Sequence, residues 1–207
     1  MNVDEYATAA AITPRRVRAL ITRGALPATK VGRGWVIDGP VQRPSGRRPL
    51  SPTSQDALTN ALHRRGLRGL TGQLRARTAT RIRELRASTD PSTLLVDWWG
   101  GKAPAQVNGR TNLVMHAFRQ NNEFITKRVN HRPSEYLRDP ADLADVVSTE
   151  RSIRGLSRKE LADLARVDSS FVFALEQGRE ITSLGDLRRV LRAIDVEPSA
   201  LPSIDMP

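Results

Sequence analysis

The residues able to do chemistry in this chain are few in kind. Its 207 residues include no cysteine, which leaves no disulfide, no thiolate metal ligand and no thiol nucleophile. The three histidines, His63, His116 and His131, stand far apart with no partner motif. No glycine-rich loop runs into Lys-Ser or Lys-Thr, and no His, Asp or Glu spacing matches a metal site. Asp90-Pro91 and Asp139-Pro140 resemble acid pairs only by repetition; a cap followed by a first-turn proline explains both. We therefore expect no enzyme activity, no cofactor and no bound metal. What remains is arginine. Four lysines (Lys30, Lys102, Lys127, Lys159) accompany 29 arginines, and the formal charge is +11. A guanidinium donates hydrogen bonds in a planar pair, which suits phosphate oxygens and the guanine edge alike.

The charge is unevenly distributed. Residues 1–40 carry +3, residues 41–96 carry +8, residues 97–145 carry +1 and residues 146–207 carry −1. A polyanion should approach the first half of the chain. Aromatic residues are 4 % of the total, too few for a large aromatic-lined pocket running through the chain. No stretch approaches the roughly 18 apolar residues of a membrane span. The amino end opens with Asp4 and Glu5 rather than a basic stretch and an apolar core, so no secretory leader is expected and the cytoplasm, at the nucleoid, is the expected location.

The elements that must hold these arginines are mainly α-helical. Asn2 and Glu5 form a capping-box pattern, and Val3, Tyr6, Ala7 and Ala10 share a face. Thr13-Pro14 marks a second start, with Val17, Leu20 and Ile21 inward and Gly24 as a left-handed stop. Arg15, Arg16, Arg18 and Arg23 are left for the outside. Lys30-Val31 and Trp35-Val36-Ile37 flank Gly32-Arg33-Gly34, a hairpin whose glycines supply positive φ. This order, with Gly24-Ala25-Leu26-Pro27 between helix and hairpin, resembles the excisionase-like, MerR-like helix-turn-helix fold over residues 1–39. The resemblance implies that helix 14–23 enters the major groove of double-stranded DNA and that the hairpin is a wing against the backbone. It points to Thr13, Arg15, Arg16, Arg18, Arg23, Lys30, Arg33 and Trp35 as DNA-binding residues. Val36 departs from the pattern, since a basic residue is common there.

Residues 40–50, with Pro40, Pro44 and Pro49 and with Arg43, Arg47 and Arg48, read as an extended linker. A basic arm in the minor groove is the alternative. Residues 51–138 read as four helices forming a docking or dimerisation body: Ser51 to Arg65, Thr71 to Ala87, one after Asp90-Pro91, and Leu113 to Val129. Arg75, Arg77, Arg81, Arg83 and Arg86 are expected outside, and Trp99, beside Trp98, is expected at a protein interface or in a second core contact.

Residues 139–207 again read as capped helices. Asp139 caps the first; Ser157-Arg158-Lys159-Glu160 is a capping box, with Leu161 and Leu164 expected inside; Asp168 and Ser183 cap two more. The string from Gly155 to Gly178, followed by Leu187-Arg188-Arg189-Val190-Leu191, is similar to the Cro-like, xenobiotic-response-element helix-turn-helix family, nearest its HipB-like antitoxin branch. That resemblance implies DNA contacts from Arg158, Lys159, Ser169, Ser170 and Gln177. Yet residues 169–177 hold neither Arg nor Lys, and exposed Phe171 and Phe173 suit a protein interface. Both readings stay open.

Together the resemblances imply an autoregulatory repressor of the antitoxin or mobile-element type, expected to be a homodimer. An antitoxin that masks a toxin protein, and a recombination directionality factor, are the alternatives.

Overall fold

The computed structural model describes residues 1–10, 12–39, 48–104, 108–130 and 135–202. Most of the expected linker therefore lies outside the described residues, as does His131. The fold is mainly α-helical with a small antiparallel hairpin. Packing divides the chain into two units, Met1–His63 with Leu85–Val129, and Arg64–Glu84 with Asn130–Pro207. The helices of the middle region are thus shared between the two units rather than forming a third.

In the first unit, α1 (Val3–Ala9) is closed by the Asn2–Glu5 capping box and α2 (Pro14–Thr22) by the Thr13 hydroxyl, which accepts from Arg16 N at 3.2 Å. Gly24, at φ +71°, follows the Arg23 cap, a backbone setting that favours glycine. Strands β1 (Ala28–Val31) and β2 (Gly34–Ile37) pair with Val31 opposite Gly34, so Gly32-Arg33 is a two-residue turn. Of the two flanking glycines, only Gly32 has a positive φ. Val3, Ala7, Val17, Leu26 and Ile37 close a small core. Ala10 is exposed, because α1 ends at Ala9 and its cap leaves the helical face.

The remaining helices of this unit are α3 (Pro52–Arg64), α5 (Pro91–Trp98), α6 (Asn112–Phe118) and α7 (Asn122–Asn130), with α4 (Gly72–Ala87) contributing its last turn. The single helix expected from Leu113 to Val129 is two. Gln120 turns left-handed at φ +57°, and the Asn121 side chain caps the next helix by accepting from Phe124 N at 3.1 Å. The Gln-Asn-Asn run was the signal for that break, since asparagine favours caps over helix interiors. Of the two places expected for Trp99, the structure shows the core and not the interface. Trp99 is 8 % exposed and lies in the protein, not on a surface. Its N–H still donates to Leu95 O at 3.1 Å, so it keeps the helical spacing; it is covered because α5 is buried on most sides, at Pro91, Ser92, Leu95, Val96, Asp97 and Trp98.

In the second unit, α8 (Pro140–Arg154), α9 (Arg158–Ala165), α10 (Ser169–Glu176) and α11 (Leu184–Ala193) surround a core that includes Leu143, Val147, Leu161, Val172, Leu187, Val190 and Ile194. A short parallel pair, β3 (Glu135–Tyr136) and β4 (Pro198–Ala200), has no counterpart in the sequence reading. Two residues per strand leave no periodicity to read. The expectation that the arginines of α4 all point outward is also corrected. Arg75 donates to Leu67 O at 2.9 Å and to Ser148 Oγ at 3.0 Å, and burial holds its guanidinium below its ordinary pKa. Arg81 is half-buried, and in the first unit Arg86 donates to Val129 O at 3.2 Å. Leu67 N donates to Thr149 Oγ1 at 3.1 Å. Arg75 of the +8 block therefore braces α8 rather than facing water.

The helix caps give the fold an acid limit. Hydrogen bonds from Thr93, Ser157 and Ser170 hold Asp90, Glu160 and Asp168 below their usual carboxylate pKa values. The unfolded chain binds these protons more readily. The stability they contribute is present above the ordinary carboxylate range and is lost as pH falls through the lowered values. We expect helicity, followed by far-UV circular dichroism, to hold down to about pH 4 and to decline below it; a rise in stability below that pH would contradict the assignment.

Candidate nucleic-acid interface

Two surfaces hold the residues expected to contact nucleic acid. The first lies on α2 and the hairpin. Val17 is fully buried, and on a helix of 3.6 residues per turn this turns Arg15, Ala19 and Thr22 directly outward. Arg16, Arg18 and Arg23 flank that row. Arg15, Arg16, Arg18, Arg23, Lys30 and Arg33 are all exposed, and among the described residues none is ion-paired or hydrogen-bonded through its side chain. Two of the three acids of residues 1–39 are engaged elsewhere: Glu5 Oε2 accepts from Asn2 N at 2.9 Å and Asp38 Oδ2 from Thr29 Oγ1 at 2.7 Å. Arg33 stands in the turn of the hairpin, and Lys30 lies on β1 opposite Trp35. Trp35 itself is half-buried against the first core, so it supports the wing more than it presents a surface. The Thr13 oxygen serves as the α2 cap, leaving its O–H as the group still able to donate outward.

The second surface is the α9–α10 face of the other unit. Ser169, Ser170, Phe173 and Gln177 are exposed along α10, and Lys159 is exposed at the start of α9. Phe171 is a correction: it is half-buried and packs against the second core. Phe173, 40 % exposed, has two cations near its ring, the Arg158 guanidinium 5.1 Å and the Arg179 guanidinium 5.5 Å from the ring centre. Arg179 was not singled out from the sequence, because it follows Gly178 beyond the end of the helix. Arg158 has a second duty. Its Nε donates to Glu176, whose carboxylate also accepts from Arg151 Nε and, at 3.1 Å, from Arg151 NH2. Part of the Arg158 charge is thereby satisfied inside the protein. Leu164, expected inside, is 61 % exposed. The inward arc of α9 is Leu161, Ala162 and Ala165, and Leu164 falls beyond its edge.

The polar groups on both surfaces are guanidinium forks, hydroxyls and one amide on short capped helices. Among the described residues no group of His, Asp and Glu could hold a metal, and no helix is long and apolar enough to cross a membrane. Of the remaining histidines, His63 is exposed, and His116 stacks on Phe124 with ring centres 3.7 Å apart. Burial, with Arg119 nearby, pushes the His116 pKa down. Comparison with protein-family models, with curated proteins and with solved structures finds no match to this chain.

Proposed function

We propose that this chain is a sequence-specific repressor that binds double-stranded DNA, with α2 as its reading helix and the β1–β2 hairpin as its wing. One observation carries the reading: six exposed cations on one small element pair, none satisfied within the described protein. Unpaired guanidiniums this close repel one another, and the phosphate backbone relieves that repulsion. Arg15 and its neighbours read base edges; Lys30 and Arg33 hold phosphates. Acting as a homodimer, the protein would present paired α2 helices about 34–36 Å apart to a repeated half-site. It would work in the cytoplasm, at the nucleoid.

The second module reads DNA in the same proposal. The Arg158–Phe173–Arg179 cluster favours it, because two cations beside an apolar ring fit two phosphates beside a thymine methyl. Selection of duplexes from a random library with the full chain tests the whole reading, and recovery of no preferred sequence would overturn it. The α10 part has its own check. Arg179→Ala should flatten the slope of log affinity against log salt by about 0.9, the share of one phosphate contact. An unchanged slope would remove α10 from the interface. Exposed Leu164 supports a different partner for this unit, a toxin protein masked by the α9 face. In that case Leu164→Ser would impair capture of the toxin and spare DNA binding.

A further inference from the structure

The first unit contains a cavity of about 440 Å³ that the DNA-binding reading does not use. It is lined by the buried Trp99 and Thr59 and by Gln55, Asp56, Lys102 and Asn108. The volume lies within the range of small-molecule sites. Two features set it apart from a packing gap. Asp56 and Lys102 carry opposite charges at one cavity, yet they are not paired with each other, and among the described residues neither side chain has any other ion pair or hydrogen bond. Thr59, which also lines the cavity, spends its hydroxyl proton on α3, donating to Gln55 O at 2.9 Å and Asp56 O at 3.1 Å, so its oxygen is left as an acceptor only. The cavity thus offers a carboxylate, an ammonium, an acceptor hydroxyl and an aromatic wall.

We propose that this cavity binds a small zwitterion of amino-acid size with an apolar side chain. The ammonium of the ligand meets Asp56, its carboxylate meets Lys102, and its side chain lies against Trp99. Charge-assisted contacts at both ends fix the orientation, and the indole supplies the apolar burial.

The same cavity is joined to the reading helix. Lys102 N donates to Trp99 O at 3.3 Å, and the next residue, Ala103, donates from N to Gly24 O at 3.4 Å. Gly24 is the left-handed residue at which α2 ends, and the Lys102 Cα lies 3.5 Å from where a Gly24 side chain would begin. A ligand that grips Lys102 therefore acts on the segment bracing α2, which makes the zwitterion an effector of DNA binding. This coupling rests on the proposed function; the binding site itself does not.

The test is isothermal titration of the full chain with each of the twenty free L-amino acids, without DNA. At least one apolar amino acid should bind at one site per chain. Lys102→Met and Asp56→Asn should each weaken it about tenfold or more, the usual penalty for losing a hydrogen bond to a charge. Both side chains are exposed, so thermal melts of the two variants should match that of the parent. If no amino acid binds, or if both substitutions leave the affinity unchanged, the site is overturned. A second titration with the selected duplex present reads the coupling. DNA should change the affinity for the amino acid by the same factor as the amino acid changes the affinity for DNA. Equal affinities with and without duplex would overturn the effector role while leaving the site standing, and a chain that binds the amino acid but no duplex would refute the repressor reading alone.

Discussion

Replacing Arg15 and Arg16 together by alanine should reduce affinity for the selected duplex between about 30-fold and about 10⁴-fold, measured by fluorescence anisotropy at fixed salt. The range follows from the about 1–3 kcal/mol that one base-reading contact contributes, taken twice. Neighbouring residues share phosphates and waters, so the double variant should fall short of the product of the two single ones. The change is a clean one for the fold. Both side chains are exposed and, within the described protein, unpaired, and alanine is the better helix former. The melting temperature should therefore hold while binding fails. Unchanged affinity would exclude α2 as the reading helix, however basic its surface.

Glu176→Ala should produce the largest effect on stability, about 3–5 kcal/mol in urea unfolding of the full chain. The Glu176 side chain is 2 % exposed and accepts from two guanidiniums, Arg151 at its Nε and NH2 and Arg158 at its Nε. Placing that charge out of water is costly, and the fork of Arg151 offsets the cost. Arg151 is only 16 % exposed, and removing the carboxylate leaves it with only its Nη1 satisfied, by Leu156 O at 2.8 Å. An orphaned buried charge is what makes such a truncation severe. It would also release Arg158 from one of its two duties, so the variant should lose fold before it loses any DNA contact of α10. A cost below about 1 kcal/mol would place the cluster among ordinary surface pairs.

Both predictions rest on cations that look alike in the sequence and differ in the fold. Arg15 and Arg151 each sit on a helix that begins with proline, and nothing in the local pattern separates them. What separates them is the rest of the chain. Arg151 meets a carboxylate 25 residues away, Arg75 meets a hydroxyl 73 residues away, and Leu67 meets one 82 residues away. Arg15 has no such partner in the described protein. Discounting the arginines that are structurally engaged leaves the α2 surface as the clearest concentration of available charge in the first unit.

Helix starts and stops were readable from the residues alone. The capping boxes at Asn2–Glu5 and Ser157–Glu160, the proline starts after Thr13, Asp90 and Asp139, and the amides of the stops at Gly24 and Gly155 all bond over four residues or fewer. Backbone hydrogen bonds closed over so short a distance need no distant partner, so local composition decides them. Burial and pairing are long-range quantities. The inward turn of Trp99, the outward turn of Leu164, the sharing of the middle helices between two units and the pairing of β3 with β4 each depend on which surfaces meet once the chain has collapsed. Apolar area is buried without directional preference, and the tertiary packing alone selects which of several near-equivalent side chains it covers.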